Sequence, residues 1–81
     1  MNSRCVELLE FARNNPKGVR FSDLKKLCLC CGMEYDRSNG SHHIYKHHNP
    51  SFTISIQELP DGKAKPYQVK QVIELIDEHS L

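Results

Sequence analysis

The stretch of sequence that decides the fold is MEYDRSNGSHHIYKHHNPSFTISI, residues 33–56. Near its centre, Asn39 is followed by Gly40. Asn-Gly between two extended segments is the strongest short-range sign of a β-hairpin, because both central residues of that turn need a positive φ. We therefore predict one strand over residues 33–37, a tight turn, and a return strand over residues 42–47.

A third strand follows the hairpin. Residues 52–56, Phe-Thr-Ile-Ser-Ile, alternate apolar and polar side chains, which is typical of a strand with one buried face. We expect Phe52, Ile54 and Ile56 to point into the core, and residues 48–51 to form the turn before them. The three strands then make an antiparallel meander.

Helices are predicted before and after these strands in the chain. Residues 3–14 form the first helix, with Ser3 as its N-cap, and Ser22 caps a second helix that ends at Gly32. Pro66 begins the last helix, at a position where its missing N–H has no intrahelical partner. Each helix carries an apolar stripe at helical spacing: Cys5, Leu8, Leu9 and Ala12; Leu24, Leu27, Cys28 and Cys31; and Val69, Val72, Ile73 and Ile76. The order α-α-β-β-β-α predicts an α+β fold with the helices on one face of a three-stranded antiparallel sheet.

Length and charge narrow the classes of function. A chain of 81 residues with a net charge of +1 has the length of one small domain. It is not basic enough to bind nucleic acid by bulk charge, although a local phosphate site is compatible with it. The longest apolar run, Leu27–Cys31, is far shorter than the roughly 20 residues of a membrane span, so we expect no membrane association. Glu7 and Glu10 lie where a secretion signal would be apolar, and we therefore expect a cytoplasmic protein.

The four cysteines permit more than one interpretation. Cys28, Cys30 and Cys31 are close together, and only Cys5 lies elsewhere. Two disulfides would need one bridge among the three neighbours, whose side chains point apart on a helix, so we expect reduced thiols. Cys28 and Cys31 fall on the apolar stripe and are expected in the core, with Cys30 nearer the surface. Their C-x₂-C spacing also suits zinc, but the stripe favours a core role, and we predict no metal.

Four of the five histidines lie within one seven-residue segment. If Ile44 points into the core, strand alternation puts His43, Tyr45 and His47 on the opposite, open face, and leaves the direction of His42 beside the turn undecided. Imidazole takes or gives a proton near neutral pH without special tuning, so this segment is a candidate for acid–base catalysis. A solvated polar face of the sheet explains the same pattern.

Three segments, residues 37–45, 52–56 and 62–73, resemble the HicA (YcfA-like) family. Its members are the small toxins of bacterial and archaeal type II toxin–antitoxin modules. The resemblance covers roughly Phe21 to the C-terminus, about three quarters of the chain. It rests on the order of a helix, a Gly-Ser-His turn, a strand pair and a helix that begins with Lys-Pro.

The resemblance implies a fold like that of double-stranded-RNA-binding domains (dsRBD-like), α-β-β-β-α. We therefore expect a single domain over residues 1–81, in which residues 21–81 form the dsRBD-like core. The helix at residues 3–14 is additional to that core.

The resemblance also implies an activity, ribosome-independent cleavage of mRNA by an endoribonuclease (an mRNA interferase), with a histidine of the Gly-Ser-His motif as general acid and base. In this chain the motif ends at His42, which is the first catalytic candidate. His43 is the second, because some family members carry their histidine directly before the first core residue of the strand. The candidates for binding RNA are Gly40, Ser41, Lys46, Lys63 and Lys65.

The partners that the resemblance implies are an mRNA substrate and a HicB-type antitoxin that covers the active face. No cofactor is expected, because RNA supplies its own nucleophile, the 2′-hydroxyl, and the protein needs only groups that move protons and hold phosphate. The alternative is a non-catalytic dsRBD-like module that docks RNA or a protein.

Overall fold

The computed structural model describes residues 1–81. In chain order its elements are α1 (Ser3–Asn14), a 3₁₀ helix (Pro16–Gly18), α2 (Phe21–Cys30), β1 (Glu34–Asn39), β2 (His42–His48), β3 (Ser51–Ile56) and α3 (Pro66–His79). The predicted α+β class is confirmed, as is the order α-β-β-β-α after an extra N-terminal helix. None of the helices is both long enough and apolar enough to pass through a bilayer.

The three strands form one antiparallel sheet in chain order. The hairpin loop is Gly40-Ser41 rather than the predicted Asn39-Gly40, because Asn39 pairs with His42 and only Gly40 has a positive φ, +63°. A two-residue loop with glycine first needs one positive φ, as in type II′ turns, whereas the predicted turn needs two. The loop therefore lies one residue later in the chain than predicted.

The two faces of β2 are the reverse of the prediction. Tyr45 is only 5% exposed and pairs with buried Ile54 of β3. Ile44 is half-buried on the other face, where it pairs with Ser55. Cross-strand partners lie on the same face of a sheet, so the clear alternation of β3 fixes the orientation of β2. His43, predicted on the open face, consequently lies on the face that the helices cover.

The core lies between the sheet and the helices. The predicted core positions Ile54 and Ile56 are buried, and Phe52 is half-buried. One cluster contains all the buried apolar side chains: Ala12, Val19, Phe21, Leu24, Leu27, Cys28, Cys31, Met33, Tyr45, Ile54, Ile56, Ala64, Val69, Val72 and Ile76. Most of the predicted apolar stripes are therefore core, including the two cysteines of α2.

The predicted bounds of α1, residues 3–14, are confirmed, but the N-caps of α1 and α2 differ from the prediction. Asn2 caps α1 in place of Ser3, since its Oδ1 accepts a hydrogen bond from the N–H of Cys5 at 2.9 Å. α2 begins at Phe21, before Ser22, and has no side-chain cap. The predicted start of α3 at Pro66 is confirmed.

The additional helix α1 is attached to the rest of the chain by a disulfide and an ion pair. Cys5 of α1 is bonded to Cys30 of α2, with their Cα atoms 5.7 Å apart. The expectation that all thiols are reduced is therefore wrong, because packing α1 beside α2 brings Cys5 and Cys30 together. At the other end of α1, the Arg13 guanidinium donates to both carboxylate oxygens of Asp77 in α3, at 2.8 and 2.5 Å. This pairing lowers the pKa of the Asp77 carboxyl.

The two remaining thiols lie in the core. Cys28 is fully buried, Cys31 is 6% exposed, and both are free. Burial raises the pKa of Cys28 to about 12 and also raises the pKa of Cys31. Because the thiolate is the reactive form of cysteine, these two side chains are expected to be chemically inert in the folded protein.

We expect Cys28 and Cys31 to stay unmodified when the native protein is treated with iodoacetamide at pH 8. Cys28, whose pKa is about 12 rather than 9.0, has about a thousandfold less thiolate at that pH, and burial shifts the pKa of Cys31 in the same direction. Peptide mass spectrometry after a reductant is added shows the contrast, because Cys5 and Cys30 should then be alkylated first. Equal modification of all four cysteines before unfolding would show that the core is open around α2.

Candidate active site

The turn between β1 and β2 presents His42 at one end of the central strand of the sheet. Gly40 is exposed, and no atom lies within 4 Å of the position that a Cβ of residue 40 would take. The need for glycine there comes from its φ of +63° rather than from crowding. His42 is the first residue of β2 and is exposed on the open face of the sheet, the face without helices.

Two side chains orient the imidazole of His42. Its Nδ1 lies 2.9 Å from Oγ of Ser55, on the neighbouring strand β3. Its Nε2 lies 3.2 Å from the amide nitrogen of Gln57, just beyond the end of β3. In the β2–β3 register His43 pairs with Ile56, so the continuation of the same register places Gln57 beside His42.

The amide of Gln57 connects His42 to the start of α3. Its Nε2 donates to Oγ of Ser41 at 3.2 Å, and its Oε1 accepts from Nζ of Lys65 at 2.6 Å. The backbone N–H of Gln57 donates to Oε1 of Gln68, at 2.8 Å. Gln68 is the one buried polar residue, 3% exposed. We call Ser41, His42, Ser55, Gln57 and Lys65 the His42 network.

His43 has a different environment from His42. It points to the helix-covered face, where its ring contacts Phe21 edge-on with the centroids 5.0 Å apart. It also lines an open cleft together with Ser41 and the loop from Glu58 to Gly62. The alternation argument that had placed His43 on the open face is therefore wrong, and the two neighbouring histidines lie on opposite faces of β2.

The other three histidines are distant from this turn. His47 and His48 are at the end of β2, and His79 is at the end of α3. His47 stacks on Phe52, with centroids 5.0 Å apart, and its Nδ1 bonds to the carbonyl of Pro50 at 2.8 Å. Phe52 also stacks with His79, the last residue of α3, at 5.3 Å. His48 lies 3.3 Å from a carboxylate oxygen of Glu34. These rings are engaged in packing and pairing.

The three lysines predicted to bind phosphate occupy different positions in the structure. Only Lys65 belongs to the His42 network. Lys46 is on the open face, about 13 Å from His42 along the strand, with its Nζ 3.4 Å from Oδ1 of Asp36. The side chain of Lys63 has no ion-pair or hydrogen-bond partner, and its backbone N–H bonds to Asp61 at 3.0 Å. The site thus contains one ammonium group with no carboxylate beside it.

Sequence reasoning missed Ser55 and Gln57. Ser55 was recognised as a polar position of the third strand, and Gln57 carried no motif at all. The signal that could have found both is strand pairing, since the register of β2 against β3 puts the residues around position 56 next to the turn histidines.

The chemistry available in the His42 network is proton transfer and binding of an anion. It combines an imidazole, an ammonium group, two hydroxyls and a carboxamide, which are groups that move protons and stabilise a negatively charged oxygen. No group of three or more histidine, cysteine, aspartate or glutamate side chains is arranged to hold a metal ion. Cys28 and Cys31, whose C-x₂-C spacing suits zinc, are both buried in the core.

Comparison with known proteins identifies a family. Residues 21–77 match the family described as "HicA toxin of bacterial toxin-antitoxin". No curated protein and no solved structure matches the chain. The matched residues include the whole His42 network and α2 to most of α3, and they leave out α1.

Proposed function

The chain belongs to the HicA toxin family and is the toxin of a bacterial toxin–antitoxin system, and from this premise we propose that it is an endoribonuclease that cleaves mRNA without the ribosome. The observation that supports the proposal best is the His42 network. An exposed imidazole is held from both sides by Ser55 and Gln57, and the ammonium group of Lys65 lies one amide away.

The reaction we propose is a transphosphorylation within the RNA. The imidazole of His42 takes the proton of a ribose 2′-hydroxyl, whose oxygen attacks the adjacent phosphorus. The bond from phosphorus to the 5′-oxygen of the next nucleotide breaks, and that oxygen receives a proton from the imidazolium. The products are a 2′,3′-cyclic phosphate and a free 5′-hydroxyl, and the imidazole returns to its starting state.

Charge builds up on the phosphate oxygens during this step. Lys65 and the hydroxyl of Ser41 are the donors nearest to His42, and we assign them to the reacting phosphate. Lys46, further along the same face, and Lys63, which is unpaired, are assigned to neighbouring phosphates of the strand. Gly40 keeps the turn free of a side chain on the path of the RNA.

The partner we propose is a HicB-type antitoxin that covers the open face around His42. mRNA is the substrate, which would place the toxin in the cytoplasm. Both assignments come from the family, and the exposed position of His42 is compatible with either occupant.

Induced expression of the chain is expected to stop bacterial growth, and the purified protein is expected to cut RNA in the absence of ribosomes. The measurement is analysis of the RNA ends, which should be 2′,3′-cyclic phosphate and 5′-hydroxyl. Co-expression of a HicB-like neighbour should restore growth. Binding of RNA in a gel-shift assay without cleavage or toxicity would overturn the enzyme assignment in favour of a non-catalytic RNA-binding module.

A further inference from the structure

The side-chain amide of Gln57 can adopt only one orientation within its contacts. Its Oε1 faces Nζ of Lys65 at 2.6 Å, and an ammonium group can only donate hydrogen bonds. The Nε2 end must therefore face the other way, toward Oγ of Ser41 and Nε2 of His42, each at 3.2 Å. An amide NH₂ group only donates, so both of these atoms act as acceptors.

This orientation determines which nitrogen of His42 carries the proton. Because Nε2 accepts from Gln57, a neutral ring has its proton on Nδ1. The Nδ1–H group then donates to Oγ of Ser55 at 2.9 Å, in keeping with the rule that the bond made by one ring nitrogen sets the state of the other. The lone pair of His42 is thus on Nε2, the nitrogen that accepts from the same Gln57 amide as Oγ of Ser41.

The position of Gln57 is itself fixed by the start of α3. Its backbone N–H donates to the buried Gln68, at 2.8 Å, and Gln68 in turn donates to the hydroxyl of Tyr67 at 3.3 Å. Lys65, Tyr67 and Gln68 thus hold both the main chain and the side chain of Gln57. Because its main chain and its side chain are both held, Gln57 loses little further conformational freedom when it orients His42.

We propose that Gln57 is a positioning residue that, with Lys65, holds His42 in the Nδ1–H tautomer and leaves Nε2 as the proton acceptor. This inference rests on the proposed catalytic role of His42. In the reaction the ribose 2′-hydroxyl replaces the amide N–H at Nε2 and gives its proton to that atom. The Gln57 amide is then free to donate to a phosphate oxygen.

The direct test is the tautomer of His42, measured from long-range ¹H–¹⁵N correlations of the histidine rings at a pH where they are neutral. We expect a protonated Nδ1 and a bare Nε2 in the parent chain. Gln57→Ala should release the ring to the Nε2–H form that free imidazole side chains prefer. Gln57→Glu should place the proton on Nε2 as well, because a carboxylate can only accept. An unchanged His42 spectrum in both variants would overturn the proposal.

The matched control introduces a carboxylate at another glutamine, outside the network. Gln71→Glu makes the same substitution on the exposed face of α3, outside the network, and should leave the His42 spectrum as in the parent. A change there equal to that of Gln57→Glu would attribute the effect to charge rather than to contact, and would also overturn the proposal.

Kinetics separate this inference from the proposed function. If the chain cleaves RNA, kcat should fall at least about tenfold in Gln57→Ala, but less than on removal of the imidazole itself. Full activity in Gln57→Ala, together with an unchanged tautomer, removes the positioning role and leaves the nuclease assignment intact. Absence of cleavage by the parent chain removes the nuclease assignment, while the tautomer measurement still decides whether Gln57 orients the ring.

Discussion

Replacing His42 with alanine is expected to lower RNA cleavage by at least about a hundredfold and to abolish growth inhibition, because general acid–base catalysis by a positioned side chain contributes typically 10²–10⁴-fold. The side chain is exposed, and its hydrogen bonds are to Ser55 and Gln57, which remain accessible to water. The fold and the midpoint of thermal unfolding should therefore change little. The measurements are the initial rate of RNA cleavage and a thermal melt on the same preparation.

His43→Ala is the matched control, because it removes the same functional group one residue away on the opposite face. It loses the edge-on contact with Phe21, and aromatic pairs of this kind contribute about 0.5–1.5 kcal/mol. We expect a lower melting temperature with cleavage retained below it. Loss of cleavage in His43→Ala with retention in His42→Ala would move the catalytic role by one residue. Full activity of the double variant would rule out catalysis by either histidine.

The fold was predictable where a short segment determines its own structure. β3 alternates clearly, and Pro66 marks the start of α3 without help from the rest of the chain. The sequence of β2 does not alternate clearly, because His, Ile, Tyr and Lys all suit either face of a sheet. A one-residue shift in pairing register turns every side chain to the other face. The predicted loop, Asn39-Gly40, lies one residue before the observed loop, Gly40-Ser41. The prediction also took Ile44 as the core residue of β2, where the structure buries Tyr45.

The disulfide and the His42 network depend on contacts between distant segments. Cys5 and Cys30 are 25 residues apart, and nothing local to either cysteine shows that α1 packs beside α2. Gln57 reaches His42 only when β3 pairs with β2, and it reaches Lys65 only when the residue before α3 packs at the end of β3. The Gly-Ser-His motif singled out the turn before β2 from the sequence, but the partners of its histidine required the tertiary structure.

Replacing Lys65 with methionine is expected to lower kcat/KM for RNA cleavage by about a hundredfold, the usual effect of removing one donor that stabilises charge on a reacting oxygen. Methionine retains most of the apolar stem of this half-buried side chain and removes only the ammonium group. The loss has two physical causes: the phosphate loses its nearest cation, and the amide of Gln57 loses the donor that fixes its orientation. The substrate for the measurement is a short RNA that contains a cleavage site mapped with the parent chain.

Lys63→Met provides the comparison, since both lysines have the same charge, lie two residues apart and were predicted together to bind phosphate. Lys63 is exposed and has no side-chain partner, so its ammonium group is assigned to a neighbouring phosphate rather than the reacting one, through a surface attraction that salt screens. We expect Lys63→Met to raise KM by less than about threefold at 150 mM salt and to leave kcat unchanged, with a smaller dependence of KM on salt. Equal losses of kcat in the two variants would mean that both ammonium groups reach the reacting phosphate. In that case the contact between Lys65 and Gln57 would not be what distinguishes Lys65, and the assignment of Lys63 to a neighbouring phosphate would be wrong.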